Sequence, residues 1–164
     1  MSYDLAVWAG TAPASARAAT DEYERRMDAL EASLDQAGGP PSATPAIRAF
    51  VEAALARYPD LDDDAGDECP WASSPLIGEA AGDFIYFPMT FSGATYARDV
   101  LAAIARDQGL VCYDPQIERL LPASDATSAS EIGARAAAAM KAHGEEHLVR
   151  PSQGGWLRRL FHRG

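Results

Sequence analysis

The stretch YDLAVW, residues 3–8, decides how the rest of the chain is read. Its side chains alternate, with Tyr3, Leu5 and Val7 on one side and Asp4, Ala6 and Trp8 on the other, which is the period of a half-buried strand. A second stretch, LVCY at residues 110–113, has four apolar or aromatic residues in a row. That continuity predicts a central strand covered on one face or both.

The segments between these strands read mainly as helices. Thr20 is the expected N-cap of a helix whose Tyr23, Met27, Leu30 and Leu34 recur at steps of four, three and four. The run AGGPPSAT ends it, and Thr44-Pro45 opens a second helix with Ile47, Phe50, Val51, Leu55 and Tyr58 on its buried stripe. PLIGEAAGDFIYFPM, residues 75–89, predicts two short strands around a glycine turn, with Pro88 at a strand end. Ser92 is then the expected cap of a third helix carrying Ala97, Val100, Leu101 and Ile104 inward, with Gly109 closing it.

The order strand, two helices, two strands, helix, strand predicts an α+β domain of ferredoxin-like, split βαβ type. It implies a four-stranded, mainly antiparallel sheet with helices on one face. The core is expected over residues 1–122. An Ala-rich peripheral helix follows over 123–149, opened by Ser128 and Glu131 in capping-box spacing, and a basic amphipathic tail over 150–164.

The segments YDLAVW, ATPAIRAFVEAALARYPDLDDD, PWASSPLIG, FIYFPMTFS and GLVCYDPQ together resemble a group of small uncharacterised bacterial proteins of high-GC organisms, over residues 2 to 117. The resemblance implies a single domain for that span and no activity.

Composition narrows the function classes. The 164 residues carry 14 basic and 24 acidic side chains, a formal charge of -10. Four of the arginines, Arg150, Arg158, Arg159 and Arg163, lie after the last acid, Glu146, which leaves the first 146 residues at -14. Such a body repels nucleic acid and anionic membranes. The two cysteines, Cys69 and Cys112, are too few for a disulfide framework and lack redox or zinc spacing. The N-terminus has no basic region before its short apolar run, and no stretch reaches the roughly 20 apolar residues of a membrane span. A cytoplasmic protein is expected.

The densest charge is in RYPDLDDDAGDECPW, residues 57–71, where Asp60, Asp62, Asp63, Asp64, Asp67 and Glu68 fall within nine positions. Asp60, Asp62 and Asp64 match the first three ligand positions of a calcium loop, but Ala65 replaces the turn glycine and Trp71 the bidentate acid. No metal or cofactor is therefore expected. The carboxylates predict a solvated negative patch that docks a basic protein surface, with Trp71 and Trp8 as aromatic anchors. Such a module would be non-enzymatic and immunity-like, neutralising a toxin active site or a nucleic-acid-binding surface.

Other constellations are weaker. His143, Glu146 and His147 have the spacing of inverted zinc peptidases, but Gly144 breaks their helix and 17 residues remain to supply a third ligand. No catalytic nucleophile has a base, because all three histidines lie in the last 22 residues. Asp114, ending LVCYD, is a secondary pocket candidate that could meet Asp4 or Trp8; its plain reading is an Asp-Pro turn. It frames the alternative function, a small enzyme or a ligand- or metal-binding domain using the acidic loop and Asp114. In the tail, Trp156 and Phe161 share an apolar helical face with Leu157 and Leu160. Arg158 and Arg159 lie elsewhere, an arrangement suited to partner, membrane or intramolecular contact.

Overall fold

The computed structural model describes residues 1–61 and 69–122, all within one compact unit spanning Met1–Ile132. The expected helix over 123–149 with Ser128 and Glu131, the His143/Glu146/His147 group and the tail with Trp156, Arg158, Arg159 and Phe161 lie outside the described residues.

Eight elements and one 3-10 turn follow in order: β1 (Tyr3–Ala9), α1 (Ala16–Leu34), α2 (Pro45–Arg57), the 3-10 turn Leu76–Glu79, β2 (Ala80–Ala81), β3 (Phe84–Met89), α3 (Phe91–Asp107), β4 (Leu110–Asp114) and β5 (Arg119–Leu121). The protein is α+β, and the described strands form a five-stranded antiparallel sheet in the order β2-β3-β1-β4-β5. β3 and β4 both run antiparallel to β1, so they are parallel to each other across it, and α3 links them.

Two expectations change here. The sheet has five strands and not four, because the chain turns back after β4 and Cys112 and Tyr113 pair with Leu121 and Leu120. The helices lie on both faces and not one. Tyr3, Leu5, Val7, Ile85, Phe87, Met89 and Cys112 pack with α2 and α3, whereas Ala6, Trp8, Phe84, Val111 and Tyr113 pack with Ala19, Tyr23, Met27 and Leu30 of α1. YDLAVW is therefore a doubly covered strand: Leu5, Ala6 and Val7 are all 0% exposed.

Local chemistry sets the helix ends. Ser15, not Thr20, caps α1, its Oγ accepting from Ala18 N at 3.1 Å, while Thr20 Oγ1 pairs with Tyr113 OH at 2.8 Å. Thr90, not Ser92, caps α3 through Oγ1 and Gly93 N at 2.9 Å. Thr44 and Pro45 do begin α2, whose inward stripe uses Ala54 in place of the half-buried Leu55. Gly109 adopts φ 71°, the left-handed conformation glycine allows after a helix.

The α2/α3 side is the larger core. Phe87 is its centre, 6.1 Å from Phe50 and 5.9 Å from Trp71 between ring centroids, the latter edge-on. Each such buried aromatic contributes about 1.5–3 kcal/mol through area removed from water. α3 approaches closely because Ala94, Ala97, Ala102 and Ala105 are fully buried small residues. Gly93 takes this to its limit: a Cβ there would stand 2.5 Å from Pro70 Cα and 2.8 Å from its carbonyl oxygen. Gly93→Ala is expected to cost about 1–3 kcal/mol as α3 and the connection at Pro70 are forced apart, read as a lower midpoint in chemical denaturation with an unchanged slope.

Candidate functional site

The acidic connection is built from its two ends inward. Asp60 follows the end of α2 and is half-buried; its Oδ1 accepts from Leu61 N at 3.0 Å and its Oδ2 from Leu76 N at 3.1 Å. On the return side, Trp71 Nε1 donates to the carbonyls of Tyr58 at 3.0 Å and Pro59 at 3.1 Å. Pro70 O accepts from Thr90 N at 2.8 Å, and Ala72 N donates to Pro88 O at 3.0 Å, so the returning chain is laid along β3. Asp62, Asp63, Asp64, Asp67 and Glu68 lie outside the described residues.

The aromatic anchors expected beside these acids are placed differently. Trp71 and Trp8 are each 1% exposed. Both are core residues, and the Trp71 indole can be buried whole because its N–H finds carbonyl partners. Trp71 packs edge-on to Tyr58 and Phe87, and Trp8 lies on the other face of the sheet against Tyr113 and Phe84. Leu61, where the acidic run begins, is 41% exposed. Ile77, next to the residue Asp60 holds, is 40% exposed, and Tyr96, whose ring lies 5.8 Å from that of Tyr58, is 39% exposed. Of the four exposed large hydrophobic residues among those described, these three stand around the base of the acidic segment.

Asp114 does open the Asp-Pro turn 115–118 between β4 and β5, its Oδ1 accepting from Gln116 N, and it is not the floor of a pocket shared with Trp8. It is 0% exposed and faces the α2/α3 side, away from Trp8. Its Oδ2 accepts from Tyr3 OH at 2.5 Å and Arg98 Nε at 2.7 Å, and its Oδ1 from Gln116 N at 3.0 Å. The side chain of Arg98 is 2% exposed and also reaches Asp99 at 2.7 Å. Burial lowers the pKa of Arg98, but the hydrogen bond and charge of Asp114 outweigh it and the net shift is upward. Burial, and then the Asp114 charge, raise the Tyr3 hydroxyl well above its ordinary value. The arrangement ties β1, β4 and α3 together and leaves neither Asp114 oxygen without a donor. Sequence reading missed Arg98, although it falls on the stripe Ala94, Arg98, Leu101, Ala105, all buried.

A second polar group lies on the α1 side. Asp4, half-buried, has its carboxyl pushed above the usual range by burial, against hydrogen bonds from Ser2 and Tyr86. Its backbone N–H donates to Gln116 Oε1 at 3.1 Å, which is the contact linking Asp4 to the region of Asp114. Glu79 is likewise raised, by burial first and by the Asp4 charge. Burial pushes Tyr23 up to about 12 and Tyr86 higher still. Thiol chemistry finds little support: burial and the Asp114 charge push Cys112 up, while Cys69 Sγ lies 3.8 Å from Pro59 O.

Among the described residues, no three His, Cys, Asp or Glu side chains are grouped to hold a metal, and no helix is long and apolar enough to cross a membrane. No protein-family profile matches the chain, and neither the curated proteins nor the solved structures give a significant match. The described geometry is that of an α+β domain with two apolar cores, a buried Tyr3–Asp114–Arg98 group in which Arg98 Nη2 has no hydrogen-bond partner among the described residues, and exposed Leu61, Ile77 and Tyr96 near the start of the acidic connection.

Two measurements follow. Asp114→Ala leaves Arg98 buried without its main partner and is expected to cost about 3–5 kcal/mol in equilibrium unfolding. Asp4→Asn tests the raised carboxyl. An acid whose folded pKa is raised destabilises the fold once ionised, so its penalty is absent below the ordinary 3.8 and grows as the pH rises through the folded value. The variant is expected to melt above the parent at pH 7 and level with it near about pH 3.

Proposed function

We propose that this chain is a non-enzymatic, cytoplasmic protein-interaction module, immunity-like in that it occludes a basic protein surface. The observation that carries this reading is the exposure of Leu61, Ile77 and Tyr96 near Tyr58 and Asp60, where a segment holding six acids in nine positions begins. Exposed apolar side chains next in sequence to a dense run of charge have the composition of a docking patch, in which the apolar groups supply affinity and the charge supplies steering and register. A partner of complementary chemistry presents lysines and arginines around an apolar or aromatic depression. The net charge of -10 speeds such an encounter and repels acidic competitors.

The scaffold reading that belongs with this function is a ferredoxin-like frame. The first four strands, in the order β2-β3-β1-β4, form the split βαβ unit, with β5 and α1 added to it. Asp60 and Trp71 act in this module as positioning residues for the patch, not as contact residues. The alternative of an enzyme centred on Asp114 has less support, because its oxygens are taken up by Tyr3, Arg98 and Gln116.

The test is affinity capture with two variants of the full chain, one carrying Asp62→Asn, Asp63→Asn and Asp64→Asn, the other Ile77→Ser and Tyr96→Ala. A basic protein is expected with the parent at low salt, reduced by the first variant and by about 0.5 M salt, and lost with the second. Capture unchanged in both variants overturns the proposal.

A further inference from the structure

Among the described residues one helix, α1, lies on its face of the sheet, and a single helix is narrower than the five strands. Five strands at about 4.8 Å spacing span about 19 Å, whereas a helix with its side chains is about 10–12 Å wide. α1 packs over β5 and, through Tyr23, against Tyr113 of β4 at 5.0 Å and Tyr86 of β3 at 6.4 Å between ring centroids, with Trp8 and Phe84 in the same cluster. Beyond these contacts a cleft of about 570 Å³ lies between α1 and the turn 81–84. A second hollow of about 440 Å³ continues it past the loop 9–13, and Arg25 and Arg26 line both.

The two arginines differ in what they are free to do. Arg26 is a strut, with Nε to Glu22 at 2.5 Å, Nη1 to Asp83 at 3.0 Å, Nη2 to Ala9 O at 3.4 Å and its guanidinium 5.5 Å from the Trp8 ring centroid. Arg25 lines the cleft with its side chain 69% exposed and pairs through one guanidinium nitrogen with Glu22. The apolar part of the wall is Ala29 and Leu30 of α1, Pro41, and Ala81 and Phe84 of the hairpin; Ser33, Gln36 and Asp83, the last paired with Arg26, are its polar part.

We propose that this cleft binds a small amphipathic monoanion, with its carboxylate on Arg25 and its hydrocarbon body along Leu30, Pro41 and Phe84. The volume suits a ligand of that size. A guanidinium takes a carboxylate in two parallel hydrogen bonds. The charge of -10 on the whole chain disfavours multiply charged anions such as nucleotides, while a single charge with an apolar body gains from the walls. The site lies on the opposite face from the patch around Tyr96, so the two readings stand or fall separately.

Decanoate is the test ligand, titrated into the full chain by calorimetry and NMR, with decyltrimethylammonium and inorganic phosphate as controls. Saturable decanoate binding is expected without comparable binding of either control. Arg25→Ala is expected to weaken it about tenfold, and Ala29→Trp, which fills the cleft from an exposed helix position, to abolish it with the melting midpoint retained. Lack of saturation below about 1 mM, equal binding of the cationic amphiphile, or undiminished binding by either variant overturns the proposal.

Discussion

A strand at the centre of a sheet must dispose of two faces, and β1 does so within seven residues. Leu5 and Val7 are committed to one core, and Ala6 and Trp8 to the other. Everything else is arranged around that demand. β3 and β4 flank β1 with in-register partners such as Phe87 opposite Leu5 and Cys112 opposite Val7. α2 and α3 close one side, and α1 comes round to the second. A one-residue slip of β1 would exchange the two sets and put Trp8 where Val7 fits.

The polar interior follows from the same placement. With Tyr3 and Asp114 on the better-covered face, a buried carboxylate has to be matched, and Arg98 arrives from α3 to do so. Buried ion pairs of this kind return little net stability over an apolar filling, but they penalise any packing in which one partner is missing. The Tyr3–Asp114–Arg98 group therefore acts more as a check on how α3 seats against β1 and β4 than as a source of energy.

Much of the frame was legible, because period and capping are local. YDLAVW, LVCYD and Thr44-Pro45 announced β1, β4 and α2, and Gly109 announced the end of α3. What was not legible depended on partners distant in sequence. β5 has three residues and is a strand only because β4 pairs with it. The side of the sheet that α1 takes could not be read from its stripe, since Tyr23, Met27 and Leu30 would serve either face. Trp71 looked like an anchor for a partner because nothing nearby revealed that Tyr58 and Pro59 would accept its N–H. Arg98 was readable in principle, as a charge on an otherwise small and apolar stripe, and its partner Asp114 was noticed for a different reason.

The way Asp60 and Trp71 fasten the acidic connection has an evolutionary reach. The fastening uses only flanking atoms: a carboxylate on the outgoing side, an indole N–H on the returning side, and backbone groups of Tyr58, Pro59 and Leu76. What lies between contributes none of these bonds, and lengthening a closed loop twofold costs only about 0.6 kcal/mol. The joint made by Tyr58, Pro59, Asp60, Trp71 and Leu76 can therefore close a connection of more than one length, which makes it a point where this gene can gain or lose residues at little cost in stability.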